Sequence, residues 1–265
     1  MSLISCVREK VLFDYTDSAA RYWFSVVFIG VLCLAVSIWH LGADPRSWST
    51  HTIPLWVLAS WLCTRLTFRV SNNRPLALVL GDFVTYLALL NHGTYVAVVC
   101  AAIDGFFGSR NGSKRTSSHV FSLANSSLAI ALASLCLTDA AYESIEMFLS
   151  LLTTLVFVHW MIQTGSIWIV MNLKKQHTTL RQLISAAAHG FVSQVMMGLF
   201  AGLNFLIFRT VDRDIVFAVI ATGLGVLTAM GFAAKNAARK AIHQEATAST
   251  LGTGQTTTAT DQQPG

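Results

Sequence analysis

Long apolar runs separated by short polar connectors dominate the chain, and the runs fall at residues 22–41, 53–68, 75–91, 93–109, 119–137, 145–173, 183–208 and 215–234. A helix rises about 1.5 Å per residue, so runs of this length match a hydrocarbon core roughly 30 Å thick. The pattern predicts an all-α, polytopic transmembrane helical bundle of about eight spans. Only Asn91, His92 and Gly93 separate the third and fourth runs, which must therefore form a tight antiparallel hairpin.

Charge orients this frame. Fifteen of the 18 Lys and Arg residues fall in five groups: Arg8, Lys10, Arg21; Arg65, Arg69, Arg74; Arg110, Lys114, Arg115; Lys174, Lys175, Arg181; and Lys235, Arg239, Lys240. Each group follows an even number of spans, or none. Short basic loops stay cytoplasmic, so these groups mark the inside and put both termini there. The intervening connectors hold Asp44, Asp139, Glu143, Glu146, Asp212 and Asp214, with Arg46, Arg209 and Arg213 beside them. They mark the outside.

Three parts follow: a cytoplasmic lead-in at 1–21, a transmembrane domain at 22–234, and a basic segment with a tail at 235–265. Val7, Val11, Leu12 and Phe13 make the lead-in amphipathic, suited to lie against headgroups. The first span serves as the insertion signal, since the polar residues before it are unlike a cleavable leader. After Ala246 the chain is polar and without periodicity, the composition of a disordered tail.

A hydrophobic content of 54%, a charged content of 12% and a mean hydropathy of +0.57 exclude an ordinary soluble domain. The basic balance does not point to nucleic acid, because the cations sit in small groups beside apolar spans and not along one stripe. They suit anionic lipid headgroups, making the bilayer the first partner. Cys6, Cys33, Cys63, Cys100 and Cys136 show no metal-ligand spacing and read as reduced, small apolar residues.

Two carboxylates break the apolar runs, Asp82 in VLGDFVTYL and Asp104 in CAAIDGFFG. A charge in hydrocarbon costs about 2.5 to 3.5 kcal/mol on insertion scales, so each must face the bundle interior. Asp82 is expected roughly 10 Å from the inner start of its helix and Asp104 about 6 to 8 Å from the inner end of the next. Ser118, Ser122, Asn125 and Ser126 share one face of the fifth helix, placing Asn125 near that depth. His159, Gln163 and Ser166 share a face of the sixth. In the seventh, Ala186, Gly190, Gln194, Gly198 and Gly202 repeat every four residues, a seam for close helix approach. His189 and Gln194 add polar groups there.

The candidate ligand-binding residues are thus Asp82, Asp104, Asn125, His189 and Gln194. A purely structural role for the aspartates, capped by Asn125 or Tyr86, is the competing reading. No phosphate-cradling loop, HExxH or GxSxG is present, so no catalytic residue, metal ligand or cofactor is expected.

The segments LGDFVTYLALLNHGTYVAVVCAAIDGFFGSR at 80–110 and VFSLANSSLAIALAS at 120–134, with the long sixth span and its following LRQLI, carry a resemblance. Together they resemble the polytopic membrane sensor module found N-terminal to bacterial GGDEF and HD-GYP signalling domains. The hairpin ending in Asp104 and Gly105 is also similar, over about thirty residues, to substrate-binding components of energy-coupling-factor transporters. The first resemblance implies a sensory or small-ligand-binding module of the bacterial inner membrane. It has no output domain of its own here, since the tail is too short for one, and so calls for a separate signalling partner. The second implies a transport component handing substrate to an energising partner. A structural subunit without a ligand is the third reading.

Overall fold

The computed structural model describes residues 12, 14–43, 52–65, 67–69, 77–110, 113–137, 144–174 and 180–210. The expected eighth span at 215–234, the segment 235–265, Val7, Val11, Phe13 and Cys6, and the connectors holding Arg46 and Arg213 lie outside them. Among the described residues the fold is all-α with seven helices: α1 (Asp17–Ala43), α2 (Thr52–Arg65), α3 (Leu80–His92), α4 (Thr94–Ser109), α5 (Thr116–Ala133), α6 (Ile145–Leu173) and α7 (Leu180–Thr210). Four stretches are long and apolar enough to cross a membrane: Asp17–Ala43, Thr116–Cys136, Ile145–Leu173 and Gly190–Ile207.

Local chemistry sets the helix ends. The Ser144 side chain accepts the Met147 N–H and caps α6, satisfying one of the donors a first turn leaves open. Between α3 and α4 the chain reverses at Gly93 alone, with φ of +81°, a left-handed conformation that favours a residue without a Cβ. The expected hairpin is therefore present, with a one-residue link.

The start of α3 differs from expectation. A two-stranded antiparallel ribbon joins β1 (Thr67–Arg69) to β2 (Ala77–Val79), with Thr67 opposite Val79 and Arg69 opposite Ala77. Ladder pairing occupies the backbone groups that an earlier helical turn would need. Helix α3 thus begins at Leu80, and Asp82 lies in its first turn, not 10 Å along it.

Three of these helices are short. α2, α3 and α4 have 14, 13 and 16 residues, or about 20 to 24 Å each. Ring contacts place the hairpin tip: His40 of α1 stacks on Tyr95 at 4.4 Å between centroids, and Trp56 of α2 meets His92 edge-on at 5.7 Å. At the other end, Ser109 Oγ and His119 Nδ1 are 2.9 Å apart, and Trp23 Nε1 donates to the Ser117 carbonyl at 3.2 Å. Helix α4 therefore covers the same depth as α1 between Trp23 and His40, about 25 Å of rise.

Helix α1 has two unlike faces. Ala19, Trp23, Val26, Gly30, Ser37 and Leu41 are buried. A Cβ on Gly30 would meet the Ala124 carbonyl of α5, so the missing side chain is what lets α1 and α5 cross closely. On the opposite side Phe28 is 70% and Trp39 75% exposed, joined by Leu32 and Val36. Helix α6 exposes Phe157, Met161 and Trp168, and α7 exposes Val192, Leu199 and Leu203. Apolar surface on this scale is unfavourable in water and suits hydrocarbon.

The lead-in residues enter the fold. Leu12 is 1% exposed and packs with Ala20, Trp23, Val26, Phe121 and Val170. It was expected at the headgroups, but the ends of α1, α5 and α6 leave an apolar niche that buries it better. Thr16 Oγ1 donates to the Leu173 carbonyl at 2.6 Å, and the Asp14 carboxylate pairs with Arg115 and with Lys174, the latter at 3.0 Å. Lys174 Nζ also sits 3.9 Å above the Tyr15 ring, a cation–π contact. Desolvation raises the Asp14 carboxyl most, yet the hydrogen bonds and charges of Lys174 and Arg115 together outweigh it and hold the group below its ordinary value.

Candidate functional site

Asp82 and Asp104 stand at equal distances from the reversal, eleven residues before and eleven after Gly93. In an antiparallel pair of helices equal offsets bring residues to the same level. Both side chains are buried, at 7% and 8% exposure, and the Asp82 carboxylate is close enough to act electrostatically on Asp104 across the hairpin. The Asp104 carboxylate fills the space where a Cβ on residue 81 would stand, so Gly81 is what admits it between α3 and α4.

Helices α5, α6 and α7 bring amides to this pair. Gln194 of α7 forms a side-chain hydrogen bond with Asp82. Its Nε2 also donates to Gln163 Oε1 of α6 at 2.7 Å. Gln163 Nε2 in turn donates to Ser126 Oγ of α5 at 3.3 Å, while Asn125 Nδ2 donates to the Gln163 carbonyl at 3.2 Å. A chain of polar contacts thus runs from Asp82 through Gln194 and Gln163 to the Asn125–Ser126 pair. Next to it, Tyr86 hydroxyl and His159 Nδ1 are 2.7 Å apart and fully buried.

The close approach that makes this possible comes from small residues. A Cβ on Gly198 would meet Val156 and come near Tyr86, and one on Gly202 would meet Leu152 and Phe148. The Gly198 and Gly202 positions of the seam therefore work as a packing surface against α6 and α3, whereas Gly190 is exposed. The seam carries Gln194 inward on the same stripe.

Several buried polar atoms end without a partner: Thr85 Oγ1, Asp104 Oδ1, Asn125 Oδ1, Ser193 Oγ, Gln194 Oε1 and His159 Nε2. Buried polar groups are normally hydrogen-bonded, and this many within a few helical turns is unusual for a purely structural core. Neither donor proposed as a cap serves that role by these bonds. Asn125 spends its Nδ2 on Gln163, and the Tyr86 hydroxyl faces His159.

Of the five candidate residues, Asp82, Asn125 and Gln194 are buried and joined through Gln163, while Asp104 is buried against Gly81 and makes no hydrogen bond to that chain. The His189 side chain lies outside the described residues. Gln163 is the hub that the candidate set lacked, although its place on one face with His159 and Ser166 is visible in the spacing. Among the described residues no group of three or more His, Cys, Asp or Glu side chains could hold a metal ion. Cys33, Cys63, Cys100 and Cys136 are unpaired thiols.

A separate cavity of about 260 Å³ lies between α6 and α7, lined by Leu152, Val156, Phe157, Phe191, Val195 and Leu199 among others. It is apolar and does not touch either aspartate. No protein-family model, curated protein or solved structure matches this chain.

Proposed function

We propose that this is a ligand-responsive module of the bacterial inner membrane, with both termini cytoplasmic and no catalytic step of its own. The buried Asp82–Asp104 pair, with acceptor oxygens left unpartnered around it, carries this reading. Burying two carboxylates side by side is costly, and a guest with positive charge or hydrogen-bond donors offsets that cost. Such a guest shifts the balance between helix packings only in so far as it binds one of them better. The sensor-module resemblance supports the same reading and supplies the output through a separate protein partner.

The test is the melting temperature of the purified full chain in detergent against alkali chlorides, calcium and magnesium chloride, and primary and quaternary amines. Native mass spectrometry of the gently extracted protein adds any molecule it retains. At least one solute is expected to raise the melting temperature by about 3 °C or more. Asp82→Asn and Asp104→Asn should each abolish that rise. If no solute separates wild type from these variants, and nothing is retained, the ligand reading fails. Uptake of the stabilising solute into proteoliposomes would replace the sensory role with transport.

A further inference from the structure

Around Asp82 the unpartnered atoms are oxygens from three helices. Thr85 lies three residues on, on the same face of α3, and is 1% exposed. A helical threonine hydroxyl commonly bonds the carbonyl one turn back, yet Thr85 Oγ1 has no partner. Gln194 uses its Nε2 on Gln163 and bonds Asp82, and its Oε1 is buried without a partner. Asp104 Oδ1 is held against Gly81, the residue preceding Asp82.

Nothing within these helices balances the charge. α3, α4, α5 and α6 contain no Lys or Arg, and in α7 Arg181 and Arg209 lie near the two ends. The first turn of α3 offers Asp82 the positive end of a helix dipole, and Gln194 adds a hydrogen bond. Asp104 has neither. Among the described residues no Lys or Arg of α3 to α6 offsets the pair, and the unpartnered atoms of Thr85, Asp104 and Gln194 are all oxygens. Space is short as well, since a single Cβ at residue 81 would already strike the carboxylate and the cavity between α6 and α7 is elsewhere.

We infer that the oxygens of Asp82, Thr85, Asp104 and Gln194 form a binding site for a single alkali-metal cation, and this rests on the ligand-binding reading above. Hard carboxylate, hydroxyl and amide oxygens suit such an ion. The inference also makes Thr85 a ligand.

Thermal unfolding of the full-length protein is measured in sodium, potassium, lithium or choline chloride at constant ionic strength and pH. One or more alkali chlorides should raise the melting temperature saturably over choline. Thr85→Val, which keeps the shape of the side chain, should shift the half-maximal concentration upward at least about tenfold, as should Asp104→Asn. Gly42→Ala, remote from the site, should leave it unchanged. Identical curves in alkali and choline salts overturn the inference, as does a rise produced only by calcium or magnesium, or an alkali response untouched by Thr85→Val. If an organic amine stabilises the wild type but not Asp82→Asn while alkali ions do nothing, the cation site falls and the ligand reading stands.

Discussion

The carboxylate of Asp104 occupies the space that a side chain on residue 81 would need. Gly81→Ala should therefore force α3 and α4 apart and destabilise the protein by about 1 to 3 kcal/mol, the usual cost of overpacking. Gly42→Ala, with no atom within 4 Å of the new methyl, serves as the control and should be neutral or mildly stabilising. If the carboxylate is the obstacle, combining Gly81→Ala with Asp104→Ala should cost less than the two single changes summed. Thermal unfolding of the four variants measures it.

Gln163 and Gln194 are joined by a 2.7 Å hydrogen bond between α6 and α7. A double-mutant cycle with leucine at each position should return a coupling of about 0.6 kcal/mol and at most about 1.7, the range for such bonds inside membranes. Additive effects would mean the two amides do not act together.

Tyr86 and His159 form the other buried contact, and His159 Nε2 already has no partner. Tyr86→Phe should leave both ring nitrogens unsatisfied and cost about 1 to 3 kcal/mol in unfolding. His159→Phe alone should cost less than His159→Ala, because the ring fills buried space that alanine would vacate.

Acid should release the lead-in. Because Asp14 in the folded protein lies below its ordinary value of 3.8, its pairing with Lys174 and Arg115 stabilises the fold above that pH. The contribution is lost as pH falls through the depressed folded value. Asp14→Asn should thus lower the melting temperature at pH 7, and its difference from wild type should shrink as pH is taken below 3.8, read by unfolding scans across that range.

The basic groups predict sidedness. Single cysteines at Lys114 and at Glu146, in a background without the native cysteines, should react with a membrane-impermeant maleimide from opposite faces of sealed vesicles. Labelling of both from one face would remove the orientation drawn from charge.

Much of this was legible in the residues. Asp82 and Asp104 stand out because nothing else ionisable interrupts their apolar runs, and Gly93 marks the hairpin that aligns them. The Gly198–Gly202 stripe announces a close helix contact. Other features could not be read. The contact between Tyr86 and His159, 73 residues apart, depends on how α3 and α6 are rotated, and uniformly apolar surfaces do not encode that rotation. The ribbon at Ala77–Val79 was hidden because three apolar residues before a helix look like its first turn. Leu12 reads as a headgroup residue in the sequence because its niche exists only once three helix ends meet.

Helix α6 carries Gln163 at the polar cluster and ends beside Lys174, eleven residues or roughly 16 Å further along. It is one continuous helix over that distance. It thereby connects the amides at Gln163 to Lys174, which pairs with Asp14, and to the Leu173 carbonyl, which accepts from Thr16 ahead of α1. Helix α6 is a single rigid strut, with the amides along its length and the salt-bridged Asp14 tied to its far end.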